Sequence, residues 1–152
     1  MADNAEYSDR ADQPNSAVLM FIAHRAMEVE VLSAMSGAGH TVTLAQARVF
    51  QRIAPGGSRL TELAEQAQVT KQTAGFLVDQ LQSAGYVERV ADPSDARARL
   101  IRLSERGRTA ADMAAGVVRD VERDWRRHLG AKRWGQLREA LVRLREVTDP
   151  WA

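Results

Sequence analysis

The chain has 152 residues, 45% hydrophobic and 27% charged, with a net charge of +1 and no cysteine. That is one domain's worth of ordinary globular sequence, which excludes wholesale disorder, and the missing cysteine excludes disulfides, thiolate metal sites, thiol catalysis and thiol redox sensing. No apolar run approaches the ~18 residues of a membrane span, and the polar, acidic start from Met1 to Asn15 does not fit a secretory signal, so a cytoplasmic protein is expected.

The small net charge hides an asymmetry. Residues 1–15 carry −3, residues 16–43 −1, residues 44–108 +3 and residues 109–152 +2. The sharpest excess runs from Asp95 to Arg108, five Arg against Asp95 and Glu105. Nineteen of the 21 basic residues are Arg, whose planar fork suits phosphates and guanine edges better than an ammonium does.

In chain order, residues 1–14 read as a flexible acidic tail without periodicity. Asn15 or Ser16 caps a first helix to about Ala34, with Val18, Leu19, Ile22, Ala26, Val29 and Leu32 recurring at helical steps. Gly37 and Gly39 end it. Thr43 and Gln46 form a capping-box pattern before Leu44, Ala47, Phe50 and Ile53, and Pro55-Gly56-Gly57 stops that helix. Thr61 is the expected cap of a short helix with Leu63, Ala64 and Ala67. After a break of three residues, Thr70 caps another through Ser83, with Ala74, Leu77, Val78 and Leu81 inward and Gly85 at its end. Two short capped helices across so tight a turn are a helix-turn-helix.

Beyond Gly85 the apolar period changes from 3.6 to 2. Tyr86–Val90 alternates, Asp92–Asp95 is turn chemistry, and Leu100–Leu103 alternates again, which gives a β-hairpin with a long, Arg-bearing tip. Ser104 caps a long helix to about Leu129, with Met113, Val117, Val121 and Trp125 four apart. After Gly130, Trp134, Leu137, Leu141, Leu144 and Thr148 form a seam too narrow for a helix buried within one domain.

The expected fold is therefore mainly α with a small β wing. A winged helix-turn-helix at residues 43–104 is flanked by a helix at 15–36 and by two helices within 105–149. The N-terminus of the helix after Thr70 offers free N–H groups to phosphate. Lys71, Gln72 and Thr73 lie in its first turn, where side chains reach base edges in the major groove. Gln pairs with adenine in two places, and Thr touches a thymine methyl. The bland alternative is a set of exposed polar residues at a helix start. Arg97 and Arg99, at i and i+2 on the wing, point the same way and are candidates for a minor groove; the alternative is an ordinary solvated hairpin tip. Arg89 either contacts phosphate or pairs with Glu88 of a neighbour.

The segments Leu60-Thr-Glu-Leu-Ala-Glu-Gln-Ala67 and Leu77-Val-Asp-Gln-Leu-Gln-Ser-Ala-Gly-Tyr-Val-Glu-Arg89 carry a resemblance to a known family. The wing, Asp92-Pro-Ser-Asp-Ala-Arg-Ala-Arg-Leu-Ile-Arg-Leu-Ser-Glu-Arg-Gly-Arg108, carries it further. Together they resemble the multiple-antibiotic-resistance regulators, the MarR family, over roughly Ser16 to Val147. Ala96 stands where the family often has Arg, and Phe76 and Gln80 stand where basic residues are common in the recognition helix. The resemblance implies that the flanking helices dimerise and that Asp95 pairs with a wing Arg to hold the loop. It also implies a ligand-responsive repressor that binds a pseudo-palindromic operator on double-stranded DNA as a homodimer. A pocket for a small anionic aromatic effector is implied as well, here with Phe21, His24, Arg25, Phe50 and Met113 as candidate walls and His24 or Arg25 as anion partner.

Other chemistry finds little support. Arg119, Arg123, Arg126 and Arg127 interleave with acids as on a salt-bridged, solvated helix face. His24, His40 and His128 lack metal-ligand spacing, so no metal or cofactor is expected. Trp125 and Trp134 lie on apolar stripes, as core or dimer-interface residues do, and Trp151 near the terminus has no assignable role. Gly56-Gly57 lacks the Lys-Ser/Thr of a phosphate loop, no Ser sits in a nucleophile elbow, and no enzyme is expected. Two other readings remain. One is a winged-helix protein-interaction module, which the neutral Phe76 and Gln80 favour; the other is a nucleoid-associated protein that binds DNA without sequence preference.

Overall fold

The computed structural model describes residues 13–150, so the acidic tail, apart from its last two residues, and Trp151 lie outside the described residues. The elements run α1 (Ser16–Gly37), α2 (Leu44–Phe50), α3 (Leu60–Gln66), α4 (Lys71–Ser83), β1 (Val87–Asp92), β2 (Asp95–Leu103), α5 (Glu105–Leu129) and α6 (Ala131–Thr148). Among the described residues no helix is long and apolar enough to cross a membrane.

Side-chain caps start four of the helices. Asn15 Oδ1 accepts from Val18 N at 3.1 Å, Thr43 Oγ1 from Gln46 N at 3.2 Å, Thr70 Oγ1 from Thr73 N at 3.1 Å and Ser104 Oγ from Gly107 N at 3.0 Å. Each satisfies an N–H that the first helical turn leaves without a partner. The Thr43 box is complete, because Thr43 N donates to Gln46 Oε1 at 2.9 Å. The cap of α3 differs from expectation. Arg59 takes that position, its N–H donating to Glu62 Oε2 at 2.9 Å, and Thr61 lies inside the helix.

The buried cluster joins α2, α3 and α4 to the wing and to the ends of α1 and α5 that touch this lobe. Val49, Leu63, Val78, Leu81 and Ile101 are its largest enclosed side chains. The wing is an antiparallel pair in register Val87↔Leu103 through Ala91↔Arg99, and the exchange Ser58 N–Ile101 O (2.9 Å) and Ile101 N–Ser58 O (2.8 Å) adds a short third edge. Two glycines are dictated by close approach. A side-chain carbon at Gly107 would stand 2.0 Å from Tyr86 O, and Gly57, at φ +96°, would meet Leu100 Cβ at 3.1 Å. Thus α5 starts hard against the chain that leads from α4 into β1.

The long helices pack differently. α5 runs back along α1, and α6 folds onto α5, where Trp125 and Trp134 meet edge to face with centroids 6.3 Å apart. On the outer face Arg123 pairs with Asp120 and Arg127 with Asp124, the solvated salt-bridged surface that the charge pattern suggests.

Candidate nucleic-acid interface

The roll of α4 about its axis is set by Ala74, Leu77, Val78 and Leu81, all buried. That leaves Thr70, Lys71, Gln72 and Thr73 exposed together at its N-terminus. Thr70 Oγ1 lies 2.8 Å from Thr73 Oγ1, so the cap and the first-turn hydroxyl are mutually fixed, whereas Lys71 makes no ion pair among the described residues. Farther along the helix Phe76 is 62% exposed. Gln80 is not part of this outer surface. It accepts from Gln46 Nε2 at 3.0 Å and ties α4 to α2.

The wing departs from expectation in how its tip is built. Asp92 pairs with Asp95 across a two-residue turn, while Ala91 pairs with Arg99, so residues 96–98 bulge from β2 between those pairs. Arg97 sits in the bulge, which interrupts the strict alternation between Arg97 and Arg99. Both are exposed, and neither makes an ion pair among the described residues.

The carboxylate that braces the tip with an Arg side chain is Asp92. Its Oδ2 accepts from Arg59 Nε at 2.9 Å and Nη2 at 2.6 Å, and its Oδ1 accepts from Ser94 N at 2.8 Å and Ser94 Oγ at 2.6 Å. The two Ser94 bonds, then the Arg59 guanidinium, hold the Asp92 carboxyl at about 2, below its ordinary 3.8, and the Asp92 carboxylate raises Arg59 in turn. Asp95, expected to pair with a wing Arg, instead accepts from the backbone N–H of Arg97 at 3.0 Å. Asp92, not Asp95, lies within reach of the Arg59 fork. Arg89 is likewise taken up internally. It donates to Asp79 Oδ1 at 2.7 Å and to Gln82 Oε1, which clamps β1 to α4 and uses up the cation the sequence left between phosphate and a neighbour.

A cavity of about 390 Å³ opens where α1, α2 and α5 meet Tyr86. His24 and Phe50 line it, but Phe21, Arg25 and Met113 do not. The reason is helix phase. Positions 24, 28, 31 and 35 of α1 face the lobe, Arg25 turns toward Val121 and Trp125 of α5, and Phe21 is 59% exposed. Met113 packs against the core cluster. In the polar part of the wall Glu28 accepts from Arg48 Nε at 3.3 Å and its carboxylate lies 3.0 Å from His24 Nε2. Tyr86, 2% exposed, forms part of the floor and bonds through its hydroxyl to His40 Nδ1 at 3.1 Å and Arg106 Nη2 at 3.3 Å.

A capped, exposed helix start beside an Arg-bearing wing is the arrangement of winged DNA-binding domains. Comparison with known proteins agrees, since residues 40–98 match the model of the MarR family. The matched segment spans most of the winged helix, whose fold is similar to that of the MarR family. Among solved structures, a MarR family protein of Mycobacterium tuberculosis in complex with salicylic acid is 29% identical, covers 88% of this chain and 98% of its own, and superposes with a TM-score of 0.65. A transcriptional regulator of Thermotoga maritima is 26% identical over 90% of this chain and 95% of its own, with a TM-score of 0.63. Wild-type MarR of E. coli shares the fold at 22% identity and a TM-score of 0.68, over 86% of this chain and 97% of its own. No curated protein matches the sequence significantly.

Within this winged-helix fold, the site roles of Arg59, Asp92, Glu28, Arg48 and Tyr86 were missed by sequence reasoning. Arg59 and Asp92 are 33 positions apart, and their pairing depends on how the wing docks on α3. The i,i+4 spacing of His24 and Glu28 was a usable signal for one of the two Glu28 contacts. Nothing local announced Arg48, the other.

Proposed function

We propose that this protein is a DNA-binding transcriptional repressor that acts as a homodimer on a pseudo-palindromic operator. The observation that carries the reading is the shared exposure of the α4 first turn and the unpaired wing guanidiniums of Arg97 and Arg99 on a rigid, well-buried lobe. Lys71, Gln72 and Thr73 enter the major groove with Thr70 at the phosphate edge, and Arg97 and Arg99 reach the backbone or minor groove alongside. Dimerisation is supported by apolar surface that one chain leaves open, namely Val18, Leu19, Met20, Phe21 and Ile22 on α1 and Leu137, Leu141, Leu144 and Val147 on α6. A two-fold axis there presents two lobes to half-sites about 10 bp apart.

The 390 Å³ cavity supports regulation by a small ligand, and the salicylic acid bound to the Mycobacterium tuberculosis relative suggests an aromatic acid. An acidic ligand would compete with Glu28 for Arg48, so Arg48 and His24 replace Arg25 as its anion partners. Because the cavity lies between α1 and the lobe, occupancy changes the spacing of the two lobes and shifts the population away from the DNA-competent state.

The test is a fluorescence-anisotropy titration with the duplex upstream of the protein's own gene and a random duplex of equal length, at two salt concentrations. Selective binding that weakens steeply with salt is expected, because each neutralised phosphate contributes about −0.9 to the log–log slope. A slope near zero overturns the reading. Equal, salt-sensitive binding to both duplexes favours a non-specific architectural protein, and no binding at low salt favours a protein-interaction module.

A further inference from the structure

We infer that Phe76 is a specificity-determining residue that selects thymine by packing its ring on the C5 methyl group in the major groove of each half-site. The inference rests on the DNA-binding reading above and adds to it the base that the middle of the recognition helix selects.

Phe76 stands four residues after Gln72 and three after Thr73, on the outward face of α4, opposite the buried Ala74, Leu77, Val78 and Leu81. It cannot roll into the core without expelling these. It is therefore a large apolar side chain, 62% exposed, at the centre of a surface whose other members are polar. The next acid on that face, Asp79, is paired with Arg89 at 2.7 Å, and Gln80 is held by Gln46 at 3.0 Å. No cation of α4 follows Lys71. The middle of the helix thus offers no cation to phosphate or guanine, and its most prominent outward group is a hydrocarbon ring.

Among the groups that base pairs display in the major groove, the thymine methyl is the apolar one. A helix docked by its first turn, with Lys71, Gln72 and Thr73 at the groove, carries position 76 one turn deeper along the same groove edge. There a Phe ring gains free energy by covering a methyl. Over guanine O6 or N7 it would strip water from an acceptor and return no hydrogen bond. Discrimination follows from both effects.

The test begins by enriching duplexes from a random library with the full-length protein. Each thymine of the enriched half-site is then replaced in turn by deoxyuridine, which removes the C5 methyl alone, and binding is measured by anisotropy with wild type, Phe76→Ala and Phe76→Leu. One position per half-site should be sensitive, with about a four-fold loss of wild-type affinity for one methyl and about fifteen-fold for both half-sites, the size expected for burying one carbon each. Phe76→Ala should lose that sensitivity while keeping the wild-type melting temperature, and Phe76→Leu should retain part of it. If wild type and Phe76→Ala respond alike to every deoxyuridine, the thymine assignment is overturned and the DNA-binding reading stands. If no duplex is enriched and binding does not depend on salt, both fall, and Phe76 is better read as a protein contact.

Discussion

The lobe built from α2 to β2 and the frame built from α1, α5 and α6 are made from similar proportions of apolar residues but use them in opposite ways. The lobe encloses Val49, Leu63, Leu77, Val78, Leu81, Val87 and Ile101 within one chain. In the frame, only Met35 of α1 is buried, α6 buries nothing, and the buried residues of α5, Gly107 and Ala110, lie where it begins against the lobe. The lobe is thus a finished folding unit, whereas the frame exposes Val147 to 83% and keeps its apolar stripes for another surface. On the proposed reading, one chain supplies a reader and a second copy completes the support that holds two readers at a fixed spacing.

The largest effect should come from cutting into the lobe. Leu81→Ala removes one of the largest enclosed side chains and should cost about 2–5 kcal/mol in urea unfolding, whereas the same truncation at Leu141 on the frame should change monomer stability little. A cost at Leu141 equal to that at Leu81 would erase the distinction. Next, Leu141→Asp paired with Val147→Asp should leave the lobe folded but release monomers. Losing the linked second half-site should lower operator affinity by about a hundred-fold or more, as measured by anisotropy. Third, Arg97→Ala should weaken binding to all sequences alike and reduce the salt slope by about one per half-site.

The smallest effect concerns the brace between α3 and the wing. The fold holds Asp92 at about 2, below its ordinary 3.8, so its carboxylate form is favoured in the native state. Its contribution is complete above the usual carboxylate range and is lost as pH falls from about 4 to about 2. Asp92→Asn should lower the melting temperature at pH 6, and the gap from wild type should narrow as the pH drops through that window. A gap that stays constant down to pH 2 would remove the ionised carboxylate from the account.

The lobe was also the more legible half of the sequence. Thr43 and Thr70 announced their helices because a cap is a local signal, a hydroxyl three residues before the N–H it satisfies. The change of period after Gly85 located the wing for the same reason. What the sequence hid was set by docking. Arg59 became the partner of Asp92 only because the wing folds back on α3. Asp95 instead turned to the backbone of Arg97. In the frame, of the two anion partners expected on α1 only His24 reaches the cavity and Arg25 falls on the neighbouring face, since apolar steps of three and four fit two neighbouring faces of a helix almost equally well.

Sedimentation velocity of the intact protein, alone and with an enriched duplex, tests the division of labour most directly. Two 16.8 kDa chains should sediment as one particle in the absence of DNA, and one duplex should be held by two chains in its presence. A stable 16.8 kDa monomer that binds a single half-site as tightly as the full palindrome would contradict it.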